Sequence, residues 1–204
     1  MIEKANSDDE KTILRYSTLL KKYGDCFRAL NWGSAESQRT RFEVLFDIGI
    51  QSGDKILDVG CGLADFYAWL LKRVPSVNYE GIDITPNMVQ AAKNRFPNTV
   101  ISNKNISDPD LRANSFDYII ASGIFFLRKE APMEHMEFVV SKMFDKSIKG
   151  IAFNSLSAWA SKKTRGEFYA DPCEVLEFCR KLSPNVVLRH EYHPADFTIY
   201  VYKR

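Results

Sequence analysis

The segment from Ile56 to Phe66, with the sequence ILDVGCGLADF, constrains the fold more than any other part of the chain. A short apolar run carries an acidic residue, Asp58, and leads into two glycines, Gly60 and Gly62. Glycine lets the backbone adopt positive φ and lets a ligand approach without a Cβ in the way. In an open α/β sheet, ligands bind beyond the carboxyl ends of the strands. The order of strand, acid, glycine turn and helix therefore predicts a cofactor pocket at this turn.

The residue three positions after Gly62 is Asp65, which bears on the kind of cofactor. A dinucleotide fingerprint, G-x-G-x-x-G, carries a glycine at that position and places a pyrophosphate at the helix N-terminus. A carboxylate there disfavours a pyrophosphate, and no Walker-type Gly-Lys-Ser/Thr follows. The turn therefore favours a ligand with a cationic end and no phosphate, and a nicotinamide oxidoreductase is disfavoured.

A second acidic residue, Asp83, ends the next strand-like run, within Gly81–Ile84. A carboxylate accepts several hydrogen bonds, so one at a strand end can hold both hydroxyl groups of a ribose. We expect Asp83 to have this role. We expect Asp58 to accept backbone N–H groups of the glycine turn and to orient the amino end of the ligand.

Strand and helix patterns alternate through the rest of the chain. Strands are predicted over 55–59, 78–83, 99–103, 117–122, 148–154, 185–191 and 196–202. Helices are predicted between them over 65–73, 86–95, 131–145 and 172–181. This alternation indicates an α/β fold with a doubly wound, mostly parallel seven-stranded sheet. The last two strands are joined by the short stretch 193–195, which predicts an antiparallel C-terminal hairpin.

The first 49 residues precede this alternation and are predicted to form an N-terminal helical cap. Apolar residues recur at helical spacing over 8–23 and 36–48, and the loop between these helices contains Arg28 and Trp32. Residues 50–204 are then the main domain. Within it, 155–171 is the longest stretch without a periodic pattern, and loops of that length are usually functional, so we predict a substrate-side insertion.

Three segments in register resemble the class I S-adenosylmethionine-dependent methyltransferases. Ile56–Ala64 resembles the first motif of that family, Gly81–Ile84 the second, and Ser115–Ser122 the strand that follows. The resemblance covers residues 50–155 and implies a Rossmann-like methyltransferase fold with S-adenosyl-L-methionine as cofactor. This chain has Ala64 where the family often has a third glycine, a change that the turn should tolerate. It has Asn105 where the family often has an aspartate that contacts adenine, and asparagine can still accept from an amino group.

The resemblance also implies a set of cofactor-binding residues in the two motifs, at the strand ends and in the cap. These are Asp58, Gly60, Cys61, Gly62, Asp83, Ile84, Met88, Asn105, Ile106, Ser122, Arg28, Trp32 and Tyr23. Arg28 is expected to pair with the methionine carboxylate, and the loop that carries it and Trp32 to close over that end of the ligand. Acceptor contacts are expected from Phe125, Asn154 and Tyr169.

No sequence motif points to a general base, so we assign no catalytic residue. Methyl transfer can be driven mainly by holding both reactants in near-attack geometry and excluding water. The N-P-P-Y sequence that grips an exocyclic amine is absent after the fourth strand, which argues against adenine-N6 and glutamine-amide acceptors. No aspartate and asparagine set for magnesium is recognisable, and no metal is expected.

Composition excludes several other classes of protein. Lys and Arg number 28 against 26 Asp and Glu, a balance that gives no support for a nucleic-acid partner. No apolar run approaches the roughly 20 residues needed to span a bilayer, and the polar start is unlike a signal peptide. The four cysteines form no C-x-x-C pair, so neither a disulfide framework nor a zinc site is expected. We expect a protein of the reduced cytoplasm that does not bind membranes.

The predicted function is methyl transfer from S-adenosylmethionine to a small-molecule acceptor. An RNA or protein methyltransferase is one alternative, which a continuous basic or acidic groove around the pocket would favour. The other is a non-catalytic cofactor-binding subunit, which would lack an open passage from the methyl group to solvent. The acceptor, the atom methylated and the oligomeric state stay open.

Overall fold

Seven strands form one mixed sheet in a computed structural model that describes residues 2–127 and 130–203, without the side chains of residues 2–6. The strands are β1 (Lys55–Val59), β2 (Asn78–Asp83), β3 (Val100–Asn103), β4 (Phe116–Ala121), β5 (Ser147–Leu156), β6 (Val186–Arg189) and β7 (Asp196–Tyr202). Their order is β3-β2-β1-β4-β5-β7-β6. Only β7 runs antiparallel to its neighbours, β5 and β6. The mostly parallel sheet and its antiparallel C-terminal hairpin are thus confirmed.

Helices cover both faces of this sheet. They are α1 (Ile2–Tyr23), α2 (Ala35–Phe46), α3 (Asp65–Leu70), α4 (Pro86–Arg95), α5 (Pro132–Lys146) and α6 (Pro172–Leu182), with a 3-10 helix at Phe27–Leu30. One core joins α5 and α6 to β4, β5 and β7, and a second joins α2 and α3 to the opposite face. Within the described ranges, every helix is too short or too polar to span a bilayer.

Several boundaries differ from the sequence prediction, among them those of α3, β5 and β6. Helix α3 ends at Leu70, not 73, because Pro75 disfavours helical backbone in the residue before it. The N–H groups of Arg73 and Val74 both donate to the Leu70 carbonyl, which makes a tight turn. Strand β5 continues to Leu156 because its pairing with β7 extends that far, and six residues, 190–195, connect β6 to β7.

The N-terminal part divides into two regions with different packing. Helix α2 belongs to the layer on the sheet, because its buried Arg41 pairs with buried Asp196 of β7 and the Tyr200 hydroxyl donates to the Val44 carbonyl. Helix α1 packs on the 3-10 helix and on α4, where Tyr16 is among the residues that pack on Leu63 and Met88. Treating residues 1–49 as a separate cap stays a prediction.

Residues 155–171 form a loop that returns to its own start. The Ala170 N–H donates to the Leu156 carbonyl at 2.9 Å, and the Ala158 N–H donates to the Ala170 carbonyl at 2.7 Å. The returning arm also lies beside the segment after β4, where the Phe168 N–H donates to the Phe126 carbonyl at 2.8 Å. The loop therefore reaches the carboxyl ends of the parallel strands, and its contact with an acceptor stays a prediction.

Candidate cofactor and acceptor site

The glycine turn after β1 is held by the end of β2. Gly60 and Gly62 have φ of +73° and +52°. The N–H groups of Gly60 and Cys61 both donate to the Ile82 carbonyl, at 2.8 and 3.0 Å. The Gly62 N–H donates to Asp83 Oδ2 at 2.9 Å. The expectation that Asp58 accepts these N–H groups is therefore wrong, because the neighbouring strand already provides their acceptors.

The glycines also admit two apolar side chains from outside the turn. A Cβ on Gly62 would come within 2.5 Å of Leu30 Cδ2, and a Cβ on Gly60 would overlap Ile124. Ala64 occupies the third position with φ of +57°, so this alanine adopts the left-handed conformation that glycine usually supplies. The turn keeps the backbone path of the motif, with Leu30 and Ile124 packed directly on it.

Asp58 is a buried carboxyl group, 3% exposed, at the edge of the cavity. The Tyr79 hydroxyl donates to its Oδ2 at 2.7 Å. Burial raises the pKa of Asp58 to about 7; the Tyr79 hydrogen bond opposes the shift, and the charges of Asp83 and Asp65 add to it. Desolvation disfavours the ionised form until a cation approaches, so Asp58 is suited to a ligand that brings a positive charge.

Asp83 connects the glycine turn to the start of α4. Its Oδ2 accepts the Gly62 N–H, and its Oδ1 accepts the Thr85 N–H at 2.8 Å. Burial raises the pKa of Asp83, and these two backbone hydrogen bonds oppose the shift. The Thr85 side chain is a further hydrogen-bond partner, and the four lone-pair positions of the carboxylate still leave room for a donor from a ligand.

These groups border a cavity of about 970 Å³ beyond the carboxyl ends of β1, β2 and β4, near the upper end of the range for small-molecule sites. Strand β1 lies between β2 and β4, where the strand order reverses and open α/β sheets bind ligands. Most of the predicted cofactor residues line it: Trp32, Asp58, Gly60, Cys61, Gly62, Asp83, Ile84, Met88, Asn105, Ile106 and Ser122. The structure brings them together, and their contact with the cofactor stays a prediction.

Ser122 provides a test of whether the cavity fits the implied cofactor. Its Oγ is buried at the end of β4 and has no hydrogen-bond partner in the described part of the chain. A buried hydroxyl is expected to have a partner, and a ligand in this cavity would supply one. Together with Asp58 and Asp83, this hydroxyl fits a ligand with an ammonium group and ribose hydroxyls. S-adenosylmethionine carries both.

The charge of the cavity lining is mainly negative. Its carboxyl groups belong to Asp8, Asp9, Asp58, Asp65, Asp83, Glu130 and Glu134, and Lys104 is the one Lys or Arg among the described lining residues. Lys104 Nζ itself pairs with Asp110 at 2.9 Å. The described residues include no group of three His, Cys, Asp or Glu placed to hold a metal. The lining therefore favours a cationic ligand.

Asn105 lines the cavity in an orientation different from the expected one. Its Oδ1 accepts the Ser107 N–H at 2.8 Å and also the Ser107 hydroxyl. The backbone N–H fixes the side-chain orientation because it requires an acceptor, and both lone pairs of Oδ1 are then used. In this arrangement Asn105 offers its Nδ2 as a donor to a ring nitrogen, and its contact with adenine stays a prediction.

Two residues predicted from the cap lie outside the cavity. Tyr23 and Arg28 are exposed, and the Arg28 guanidinium lies 5.7 Å from the ring centroid of Phe27. Helix α1 instead lines the cavity with Asp8, Asp9, Thr12 and Tyr16, which the sequence reasoning missed. Burial beside Asp83 raises the pKa of Tyr16. The signal was present in the helical spacing of Asp9, Thr12 and Tyr16, which places polar groups on one face.

A second cavity of about 160 Å³ adjoins the first and is lined by Phe125 and Asn154. Leu30, Trp32 and Gly123 border both cavities. The third predicted acceptor residue, Tyr169, lines neither of them. Its hydroxyl donates to Glu167 Oε2 at 2.7 Å, so Tyr169 positions a residue of the lining.

Comparison with known proteins gives relatives that are similar in sequence or in fold. A family model described as a methyltransferase domain matches residues 56–143. A Mycobacterium tuberculosis protein described as a methyltransferase is 36% identical over 155 residues, which are 72% of this chain and 92% of the relative. Demethylmenaquinone methyltransferase of Staphylococcus aureus is 29% identical over 120 residues, 57% of this chain and 48% of that enzyme.

Solved structures share the fold at low sequence identity. One is magnesium protoporphyrin IX methyltransferase from Synechocystis PCC 6803, solved with bound S-adenosylmethionine. Its TM-score is 0.66 at 11% sequence identity, and the match covers 95% of this chain and 97% of that enzyme. A methyltransferase from Aquifex aeolicus gives 0.58 at 17% identity, over 78% and 87%. With the 36% identical relative covered almost completely, these findings show that the chain belongs to the class I S-adenosylmethionine-dependent methyltransferases.

Proposed function

We propose that this protein transfers a methyl group from S-adenosylmethionine to a small-molecule acceptor. The observation that carries the proposal is the pair of adjoining cavities at the carboxyl ends of the central strands. The larger has the volume and carboxylates for the cofactor, and the smaller shares three wall residues with it, Leu30, Trp32 and Gly123. A cofactor-binding subunit without catalytic function has no need of the second cavity.

The residues of the first cavity are assigned to holding the cofactor. Bound S-adenosylmethionine supplies a methyl group on a positively charged sulfur. Asp83 would accept the ribose hydroxyls, and Asp58 and Ser122 would hold the amino end. Trp32 packs over Gly123, where it would exclude water from the reacting groups. These residues contribute by positioning and desolvation, and none is assigned as a base.

Charge supports a small acceptor over RNA. Carboxyl groups predominate in the lining of the large cavity, and a polyanion would be repelled at that entrance. Two of the relatives named above act on small molecules, as their names state: a magnesium porphyrin and demethylmenaquinone. Their acceptors differ, so they support the class of acceptor and not its identity.

The proposal is tested by calorimetry followed by a transfer assay. S-adenosylhomocysteine should bind at one site and raise the melting temperature by mass action, whereas NAD should do neither. Methyl-labelled S-adenosylmethionine should then label a component of a small-molecule extract and leave tRNA and protein fractions unlabelled. Cofactor binding without label transfer to any fraction would favour the non-catalytic alternative, and labelled tRNA or protein would contradict the small-molecule proposal.

A further inference from the structure

The second cavity contains a buried hydrogen-bond donor without an acceptor. Asn154, near the carboxyl end of β5, is 2% exposed, and its Nδ2 has no partner among the residues that the structure describes. Its Oδ1 accepts the Gly123 N–H at 2.7 Å. That backbone donor fixes the orientation of the amide, so the unmet group is the NH₂. Buried donors of this kind are rare because leaving one unpaired is costly.

The size and walls of the cavity limit what can fill it. Its volume of about 160 Å³ is close to the roughly 150 Å³ of an apolar cavity that holds one benzene molecule. Three aromatic residues, Trp32, Phe125 and Phe126, contribute to its lining. Phe125 is itself fixed by an edge contact with Phe153, at 5.7 Å between ring centroids. A single ring with a short substituent therefore matches the space.

Arg41, Asp196 and Glu167 are the charged residues among the described lining, and each is engaged by another protein group, Glu167 by the Tyr169 hydroxyl. Arg41 lies over the Trp32 ring at 4.9 Å, donates to the Ser37 carbonyl at 2.7 Å and pairs with Asp196. This guanidinium is engaged by protein groups and does not provide a free counter-charge for an anion. A ligand ammonium has only donors, so it cannot satisfy Asn154 Nδ2. The missing partner is a neutral group with a lone pair.

We infer that the second cavity binds the methyl acceptor, and that the acceptor is a neutral single-ring molecule whose carbonyl or hydroxyl oxygen accepts a hydrogen bond from Asn154 Nδ2. The inference rests on the proposed function and narrows its acceptor class. Trp32 borders both this cavity and the cofactor cavity, so a ring held at Asn154 lies next to the cofactor site. Asn154 is then a specificity-determining residue.

The experiment measures binding of three probes of similar shape to the full chain by NMR: acetophenone, ethylbenzene and protonated 1-phenylethylamine. Acetophenone has an acceptor oxygen, ethylbenzene has none, and the third is a cation. Acetophenone should bind about tenfold more tightly than the other two, the size of one hydrogen bond. It should also shift the side-chain NH₂ resonance of Asn154. Equal binding of acetophenone and ethylbenzene to the unmodified protein would overturn the inference.

A pair of matched variants assigns the effect to Asn154. Asn154→Asp, measured at a pH high enough to ionise the buried carboxyl group, keeps an oxygen for the Gly123 N–H and removes the donor, so the tenfold preference for acetophenone should disappear. Asn78→Asp makes the same change at an exposed residue at the start of β2 and should keep the preference. A preference that survives in Asn154→Asp would contradict the assignment.

Binding of S-adenosylhomocysteine, measured on the same samples, separates the two proposals. If the nucleoside binds and acetophenone shows no preference, the acceptor inference fails and the proposed function stands. If acetophenone binds selectively and the nucleoside does not bind, the proposed function fails.

Discussion

Replacing Asp83 with alanine is expected to weaken cofactor binding and to loosen the glycine turn. The carboxylate now accepts the N–H groups of Gly62 and Thr85 at 2.9 and 2.8 Å. Hydrogen bonds to a charged group contribute about 1.5–3 kcal/mol each, and part of that gain is offset here because the pKa of Asp83 is raised by burial. We therefore expect a net loss of about 1–2 kcal/mol in the free energy of unfolding.

The effect on the cofactor is expected to be larger than this loss of stability. Removing the acceptor of the ribose hydroxyls should cost about 1.5–3 kcal/mol of binding free energy, or roughly 10- to 150-fold in Kd for S-adenosylhomocysteine. Calorimetry measures this change, and thermal unfolding of the apo protein should show a Tm lower by about 3–6 °C. Asp145→Ala is the control, because Asp145 is exposed on α5 and is not part of the cavity lining. Normal affinity in Asp83→Ala would refute the assignment of the ribose.

Three further perturbations test the rest of the site. Burial raises the pKa of Asp58 to about 7 in the folded protein, so folding favours its protonated form. The free energy of unfolding of the cofactor-free protein should therefore fall as pH rises from about 4 to about 7. Asp58→Asn should remove that dependence. Ionisation of Asp58 should also make S-adenosylhomocysteine bind more tightly as pH rises through about 7. Tyr79→Phe removes the hydrogen bond to the Asp58 carboxylate, so it should move this transition to higher pH. Trp32→Ala should reduce turnover more than it reduces stability, and bound cofactor should slow hydrogen exchange over residues 10–34. Unchanged exchange in these residues, together with full activity of the variant, would contradict the role of residues 10–34 in covering the cofactor.

The sheet and the glycine turn were predictable because their signals are local. Each strand is a short apolar run bounded by turn residues. Asp58 and Asp83 lie near the carboxyl ends of β1 and β2, and this position does not depend on how the helices pack. Asp58 and Asp83 were therefore placed at the cavity correctly. Their partners were not, because the Tyr79 hydroxyl and the Ile82 carbonyl reach the turn from the neighbouring strand. These hydrogen bonds depend on which strands pair and in which register, and a local sequence pattern does not show that.

The cap was predicted less well because its position depends on tertiary packing. The apolar spacing identified α1, but not which of its tyrosines lines the cavity, so Tyr23 was chosen and Tyr16 missed. Arg28 was assigned a ligand contact from its place in a loop, and the 3-10 helix leaves its side chain exposed. The same helix directs Leu30 onto Gly62. A helix of four residues is too short for the spacing of its apolar residues to predict which side packs against the protein.

A crystal structure of the protein with S-adenosylhomocysteine would show directly which residues hold the cofactor. We expect the ribose hydroxyls within hydrogen-bond distance of Asp83 and the amino end near Asp58 and Ser122. The sulfur should lie beside Trp32, at the end of the large cavity that adjoins the second one. A nucleoside bound outside this cavity, or bound within it with its ribose away from Asp83, would contradict the account.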